Sequence, residues 1–274
     1  MKTLMQLTLI VVMGLAAGTA HAELLAYEGF DYTGTAINGQ TGGGSTGFSA
    51  AWDDSDGDVL LSNDGVSLAP SASTLPVIGS RLSVKKIGGT GDRRAQRNVS
   101  NAFDFDQEGQ MYMSVLMRKN SLNQPSGETV NLYGGGDRFR VAIGSNDQFF
   151  AVLGGSGIKY DDMTVTAGDT YFAVAKLISH GGSTPDEMFL KIYAPDDIVD
   201  IVDPASWDVE RSAVVTGQVG YIRVGFGPNA DAGIDEIRYG DTWADVAPIP
   251  EPNSLILLAI GAALATLAIR RRGR

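Results

Sequence analysis

The chain offers few side chains that could run a reaction. It has no cysteine, which removes thiolate nucleophiles, thiolate metal ligands and disulfides. Of its two histidines, His21 falls in the N-terminal leader described below. His180 sits in the polar run Ser179-His180-Gly181-Gly182-Ser183, which reads as a solvated turn. A Gly-x-Ser-x-Gly nucleophile elbow is absent, so Ser-His-Asp hydrolysis is not expected. Asp235-Glu236 is the carboxylate pair to weigh for glycoside cleavage, which needs two carboxyl groups about 5–9.5 Å apart flanking one bond. Neighbours on a strand project to opposite faces, so these two are not expected to act together. Asp53-Asp54-Ser55-Asp56-Gly57-Asp58 has the oxygen density that calcium wants, but its glycine is misplaced for an EF-hand and no glutamate stands at the twelfth position. It reads as a solvated loop. Gly154-Gly155-Ser156-Gly157-Ile158-Lys159 lacks the ending of a phosphate-binding loop and reads as a turn. Lys85, Lys86, Arg93, Arg94 and Arg97 are the main basic concentration; they could meet an anionic polysaccharide, or simply be a solvated loop. Trp52, Tyr112, Tyr133, Phe149, Phe150 and Tyr171 could stack on sugar rings or fill a core.

Any such groups must be positioned by short strands. Thirty-five glycines stand against ten prolines, and 43% of the 274 residues are hydrophobic, enough for one core and many tight turns. The spacing predicts strands at Arg81–Ile87, Met111–Arg118, Thr129–Tyr133, Arg138–Ile143, Gln148–Leu153, Thr170–Ile178, Met188–Tyr193, Tyr221–Phe226 and Ile234–Tyr239. Gly134-Gly135-Gly136-Asp137, Ser145-Asn146-Asp147 and Ala167-Gly168-Asp169 fall between successive runs, as hairpin turns should. No apolar helical stripe of a dozen residues interrupts the body, and no linker divides it. The net charge is −11, and the middle of the chain is more acidic still once Lys2, Glu251 and the terminal arginines are set aside. Such a surface repels phosphate backbones, so no nucleic-acid partner is expected.

The two ends carry a different message. Lys2 is followed by an apolar run from Leu7 to Ala17 and then by Gly18-Thr19-Ala20-His21-Ala22. Ala20 and Ala22 stand at the −3 and −1 positions of a cut before Glu23, the order of a secretory signal handed to the secretion translocon. At the far end Pro248-Ile249-Pro250-Glu251-Pro252-Asn253-Ser254 breaks regular structure. Leu255–Ile269 is uncharged and almost wholly apolar, and Arg270, Arg271, Arg272 and Arg274 close the chain. Fifteen helical residues reach roughly 22 Å, short of a hydrocarbon core of about 30 Å. The arginines act as a membrane stop and stay cytoplasmic, which puts the acidic body outside.

Pro250-Glu251-Pro252, an apolar helix and a terminal arginine cluster resemble the PEP-CTERM sorting signal of Gram-negative bacteria, with Ile249 where that family usually has valine. The resemblance implies an exosortase-type processing enzyme as partner and delivery to the cell surface or its exopolysaccharide matrix. The body is similar to laminin-G-like, concanavalin A-like jelly rolls. The likeness is carried by Tyr27-Glu28-Gly29-Phe30-Asp31-Tyr32, Asn38-Gly39-Gln40, Ala51-Trp52, Met111 to Arg118, Gly168 to Phe172, Ile234 to Tyr239 and Thr242 to Val246, in the family's order. It implies an all-β antiparallel sandwich whose first and last strands lie together. By the same resemblance Glu28 and Asp31 from the first strand and Asp235 from the last would share a structural calcium ion, the one cofactor considered.

These readings divide the chain into a signal peptide (1–22), a jelly-roll domain (23–247) and a sorting segment with a hydrophobic helix (248–274). The expected function is that of an exported, non-enzymatic surface or extracellular-matrix protein, structural or in contact with extracellular polysaccharide. A polysaccharide-acting hydrolase of concanavalin A-like fold and a specific glycan-binding adhesin are the competing expectations.

Overall fold

The computed structural model describes residues 24–42, 44–54, 59–62, 81–84, 93–122, 130–135, 138–227 and 230–247. The expected leader, with Ala20 and Ala22, and the sorting segment, with Pro250, Glu251, Pro252 and the four arginines, lie outside the described residues, as do Lys85 and Lys86. Strands run in the order β1 (Leu24–Glu28), β2 (Leu60–Ser62), β3 (Arg81–Val84), β4 (Arg93–Asp104), β5 (Glu108–Lys119), β6 (Val130–Gly134) and β7 (Phe139–Ile143). They continue with β8 (Gln148–Leu153), β9 (Ser156–Thr164), β10 (Thr170–His180), β11 (Asp186–Tyr193), β12 (Val209–Ala213), β13 (Gln218–Phe226) and β14 (Ala232–Gly240). A single turn of helix, α1 (Trp243–Val246), follows.

The strands form two antiparallel sheets. One is ordered β12-β11-β10-β5-β14-β3-β2, with β1 also on β14; the other is β4-β13-β6-β7-β8-β9. This is the all-β sandwich expected, and β1 does pair with β14, Ala26 standing opposite Tyr239 and Glu28 opposite Ile237. Alternate residues such as Met111, Met113, Val115 and Met117 on β5 and Tyr171, Ala173, Ala175 and Leu177 on β10 meet Phe139, Val141, Phe149 and Val224 of the other sheet in one continuous core. Burying apolar area at about 25 cal/mol per Å² is the main driving force for bringing the two faces together.

The nine predicted strands are present, and five more appear among the described residues. The missed ones explain themselves. β2 and β12 are only three and five residues long, too short for a period to show. β1 adjoins the apolar leader, and β9 begins inside a glycine-rich run read as a turn. β4 is the largest correction: its alternation buries Arg93, Ala95, Arg97 and Val99, so two members of the expected basic loop point inward on a strand.

A bulge in β14 shapes the site side of the molecule. Along one edge β14 pairs with β3 through Ile234 and with β1 from Ile237 onward. Asp235 and Glu236 occupy the changeover, where the ladder with β5 also slips and Glu236 takes φ 51°. A bulge lodges the extra residue and lets two strands share one edge in succession. At Gly47, φ is 75° and a Cβ would stand 1.8 Å from the Leu25 carbonyl oxygen, so the loop carrying it closes on β1 only with glycine.

Candidate functional site

The outer face of the eight-stranded sheet gathers the side chains that the pleat turns away from the core. Cross-strand register lays them in rows. Asp235, Leu116, Phe172 and Tyr193 form one row. Tyr27, Arg238, Ser114, Val174 and Lys191 form the next. Gly240, Tyr112, Lys176, Phe189 and Glu210 form a third. Residues directly opposite one another on a sheet touch, so each row is a contact line. Phe172 stacks on Tyr193 with centroids 6.0 Å apart, and Lys176 lies over the Tyr112 ring at 5.3 Å.

This face is covered. Ser114 Oγ donates to the Val246 carbonyl at 2.6 Å and so pins α1 onto the sheet. Gly240 makes room, since a Cβ there would meet that of Asp245 at 2.3 Å. Trp243 packs edge-on against Tyr112, centroids 6.4 Å apart, and against Trp207 at 6.0 Å. Trp207 in turn lies 5.7 Å from Phe189. Tyr112, Leu116, Phe172, Tyr193 and Trp243 end up buried in a second apolar cluster, while Phe189 and Trp207 stay half-buried at its margin.

The segment between β11 and β12 straps this cluster, held by aspartates. Asp200 accepts from Tyr193 Oη at 2.7 Å, and its carbonyl accepts from Trp243 Nε1 at 2.8 Å. Asp203 accepts from Tyr112 Oη at 2.9 Å and pairs with Lys176. Asp208 accepts from Lys191 Nζ at 2.9 Å and from Ile192 N at 2.7 Å. Asp197 closes the turn on Ala194 N at 2.7 Å. Burial, reinforced by Asp200, pushes the Tyr193 phenol well above its ordinary range. Tyr112 is also raised by burial; Lys176 pulls the other way and Asp203 adds to the rise. For Lys176 burial opposes the charge, but the hydrogen bonds to Asp203 and Tyr112 outweigh it and its pKa rises. The tethers are therefore strongest with the tyrosines neutral and Lys176 charged.

Of the three carboxylates weighed for calcium, the first is already engaged by the protein itself. Glu28 is buried at the end of β1, and its Oε2 accepts from Arg97 Nη1 at 2.5 Å, Tyr32 Oη at 2.6 Å and Trp52 Nε1 at 2.9 Å. Its Oε1 accepts from Phe30 N at 2.9 Å. Four donors, Arg97 among them, already occupy this carboxylate, and burial raises its pKa in spite of them. Asp31 is exposed, and Asp235 is fully buried with Oδ1 accepting from Glu236 N at 2.9 Å. Among the described residues no three such side chains form a group that could hold a metal ion.

Asp235 and Glu236 do not point apart as strand neighbours should, because the bulge breaks the alternation. Asp235 stands opposite Leu116, and Glu236 meets Tyr27 Oη at 3.0 Å and Arg238 Nη2 at 2.7 Å, all outer-face positions. The two carboxylates share a side, yet both are closed from solvent. His180 ends β10 rather than sitting in the turn, with Nε2 3.3 Å from Glu187. Of the aromatic residues singled out, Trp52, Phe149 and Tyr171 are core, and Tyr112 alone joins this face. Phe172, Phe189, Tyr193, Trp207 and Trp243 were missed. The available signal was Met111–Met117, a run with hardly a polar residue on either alternation, which marks a strand covered on both faces.

From Ala247, buried at the edge of the covered face, the chain runs on into Pro248 and the apolar C-terminus. Residues 248–272 match the PEP-CTERM protein-sorting motif. A PEP-CTERM segment is a sorting signal of exported proteins, and this chain carries one directly behind its sandwich. No curated protein matches the sequence. Among solved structures the body is similar to the globular domain of T. cruzi calreticulin, at 10% identity and TM-score 0.45 over 91% of this chain and 100% of that one. It is also similar to the VIP36 exoplasmic/lumenal domain in its Ca2+/mannose-bound form, at 11% and 0.39 over 76% and 90%. A Trypanosoma rangeli sialidase matches at 11% and 0.42 over 85% of this chain. The chain spans about a third of that sialidase's length (33%). Among the described residues no helix is long and apolar enough to cross a membrane; Leu255–Ile269 lies outside them.

Proposed function

We propose that this protein is a non-enzymatic component of the cell surface or extracellular matrix, its residues 23–247 acting as a structural or glycan-contacting sandwich delivered by the PEP-CTERM segment. The observation that carries the reading is the sorting motif at 248–272, fused to a body whose candidate face is already filled by its own strap and helix. The absence of catalysis is supported by the state of the acids: Glu28, Asp235 and Glu236 are buried and engaged, so none can meet both a substrate bond and a water. The leader at 1–22 would bring the chain to the secretion translocon, and an exosortase-type enzyme would process the tail. Mass spectrometry of the protein recovered from its producing cells tests this at both ends. A start at Glu23 and the loss of Arg274 are expected, and a surface form with Arg274 intact would defeat processing. A reporter fused after Asp245 should lie outside the cytoplasm; a cytosolic reporter would overturn export itself.

A second reading, an adhesin for a particular glycan, is favoured by one feature. Phe189 and Trp207 reach the surface as an adjoining aromatic pair beside the Lys191–Asp208 ion pair, a surface on which a sugar ring could stack. Glycan-array binding that survives in the native protein and disappears in Trp207→Ala would select it over a passive matrix role.

A further inference from the structure

The strap carries the three most exposed large aliphatic side chains among the described residues. Ile198 is 92% exposed, Ile201 74% and Val202 65%, three large aliphatic side chains within five residues, in the sequence Ile198-Val199-Asp200-Ile201-Val202-Asp203. The tip is not loose chain. Val199 packs against the covered cluster, and the carbonyl and carboxylate of Asp200 are both bonded to the body. The three aliphatics flank that anchored residue and are held outward by it. A rigid apolar projection on an otherwise acidic surface has a partner or is a liability.

Its position says which partner. Trp243, which holds Asp200, belongs to α1, the last described element. Ala247 lies in the same cluster as Trp243, and Val199 packs on that cluster. The chain therefore leaves the body beside the tip. From there only Pro248–Ser254 separate the sandwich from the apolar run Leu255–Ile269, and seven residues span at most about 25 Å. While that run is in a membrane, the tip is tethered within reach of the lipid surface at high effective concentration.

We propose that Ile198, Ile201 and Val202 form a membrane-contact tip that seats the body on the outer lipid surface while the C-terminal segment is still attached. The proposal rests on the reading of 248–274 as a membrane-inserted sorting segment. The occupant it commits to is an uncharged, zwitterionic lipid interface. Side chains of this size partition into the boundary between headgroups and acyl chains, whereas Asp196, Asp197, Asp200 and Asp203 around them would be repelled by anionic headgroups. A second copy of this chain or a protein partner on the same tip would be the competing occupants.

The absence of cysteine makes the test clean, since Val202→Cys in the full-length protein carries one environment-sensitive fluorophore. The control is Val214→Cys, also exposed but beside the β8–β9 turn, where its backbone carbonyl lies near Gly154. Both are reconstituted into phosphatidylcholine vesicles, with and without brominated acyl chains. Co-flotation with the vesicles reports the tail's insertion; its failure would sink the anchoring reading, and the tip proposal with it. With flotation intact, the label at 202 should shift to the blue and lose at least half its emission to the brominated chains, while the label at 214 does neither. Adding Ile198→Ser and Ile201→Ser should abolish the response at 202 without altering flotation. Anionic phosphatidylglycerol in the vesicles should weaken it. A floating protein whose 202 label stays in water overturns the proposal. So does a label shielded without bromine quenching, which would point to a protein on the tip, or a response strengthened by anionic lipid.

Discussion

The outer face of the eight-stranded sheet lies under a polypeptide cover, whereas the aromatics on the outer face of the six-stranded sheet are shielded by side chains of that same sheet. On the second face Arg140 spreads over Tyr133 and Phe150, 5.4 and 5.3 Å from their centroids, and Arg223 lies over Tyr221 at 5.2 Å. An arginine stem hides aromatic surface while its charge stays in water, at the cost of one side chain's freedom. The strap and α1 do the same for Tyr112, Phe172 and Tyr193 by ordering a long stretch of backbone, at about 1–2 kcal/mol per residue. The costlier device needs fixed attachments, which is why its aspartates meet tyrosine and lysine donors from the sheet. It also holds a projecting segment in place, which a layer of arginines cannot do.

The contrast between the two faces depends most on Trp243. Trp243→Ala should lower the unfolding free energy by about 3–5 kcal/mol in a denaturant titration, because it empties the centre of the covered cluster and releases Asp200. Next comes Asp203→Ala, which takes away the acceptor of Tyr112 and Lys176. We expect a loss of about 1–2 kcal/mol and faster amide exchange confined to residues 195–207, with strands β7 and β8 unchanged; exchange rising equally in both sheets would mean the strap is not a separate unit.

Alkaline pH should separate the faces further. Tyr112, Tyr193 and Lys176 all have raised pKa values in the fold, so the folded chain holds protons that the unfolded chain begins to release near pH 10. Their stabilisation is therefore complete below that range and is lost as pH rises through it. The melting temperature should fall between pH 9 and 11, and less steeply in a Tyr112→Phe, Tyr193→Phe double variant. An unchanged slope would remove these tethers from the account. Arg140→Ala on the six-stranded sheet should cost only about 1 kcal/mol, and a loss matching that of Trp243→Ala would mean that the two faces are held alike. The smallest effect expected is none at all: millimolar calcium should leave the melting temperature in place. A rise would show that the folded chain does bind the ion.

Much of this molecule was legible along the chain. Period-two patterning and turn residues found nine strands, because a half-buried pleat and positive-φ turns are local requirements. The Pro-Glu-Pro sorting motif is also local, since it is read as a linear segment. What stayed hidden depended on partners distant in sequence. Arg93 and Arg97 look like a basic loop until Glu28 and the core of the other sheet are brought against them. Asp235-Glu236 looks like a strand pair with opposed side chains until β1 and β3 are seen to share one edge of β14 and force a bulge.

The acidic run around Ile198 looks like a solvated connection, because nothing local says that its aspartates meet Tyr112, Lys176 and Tyr193. Composition, alternation and short motifs are properties of neighbouring residues, so the all-β class, the acidic balance and the sorting tail can be read from the chain alone. Only the tertiary structure decided which carboxylates are neutralised, which aromatic face is closed and where three aliphatic side chains are left in water. Those depend on which strands meet, and cross-strand register is set by the whole fold.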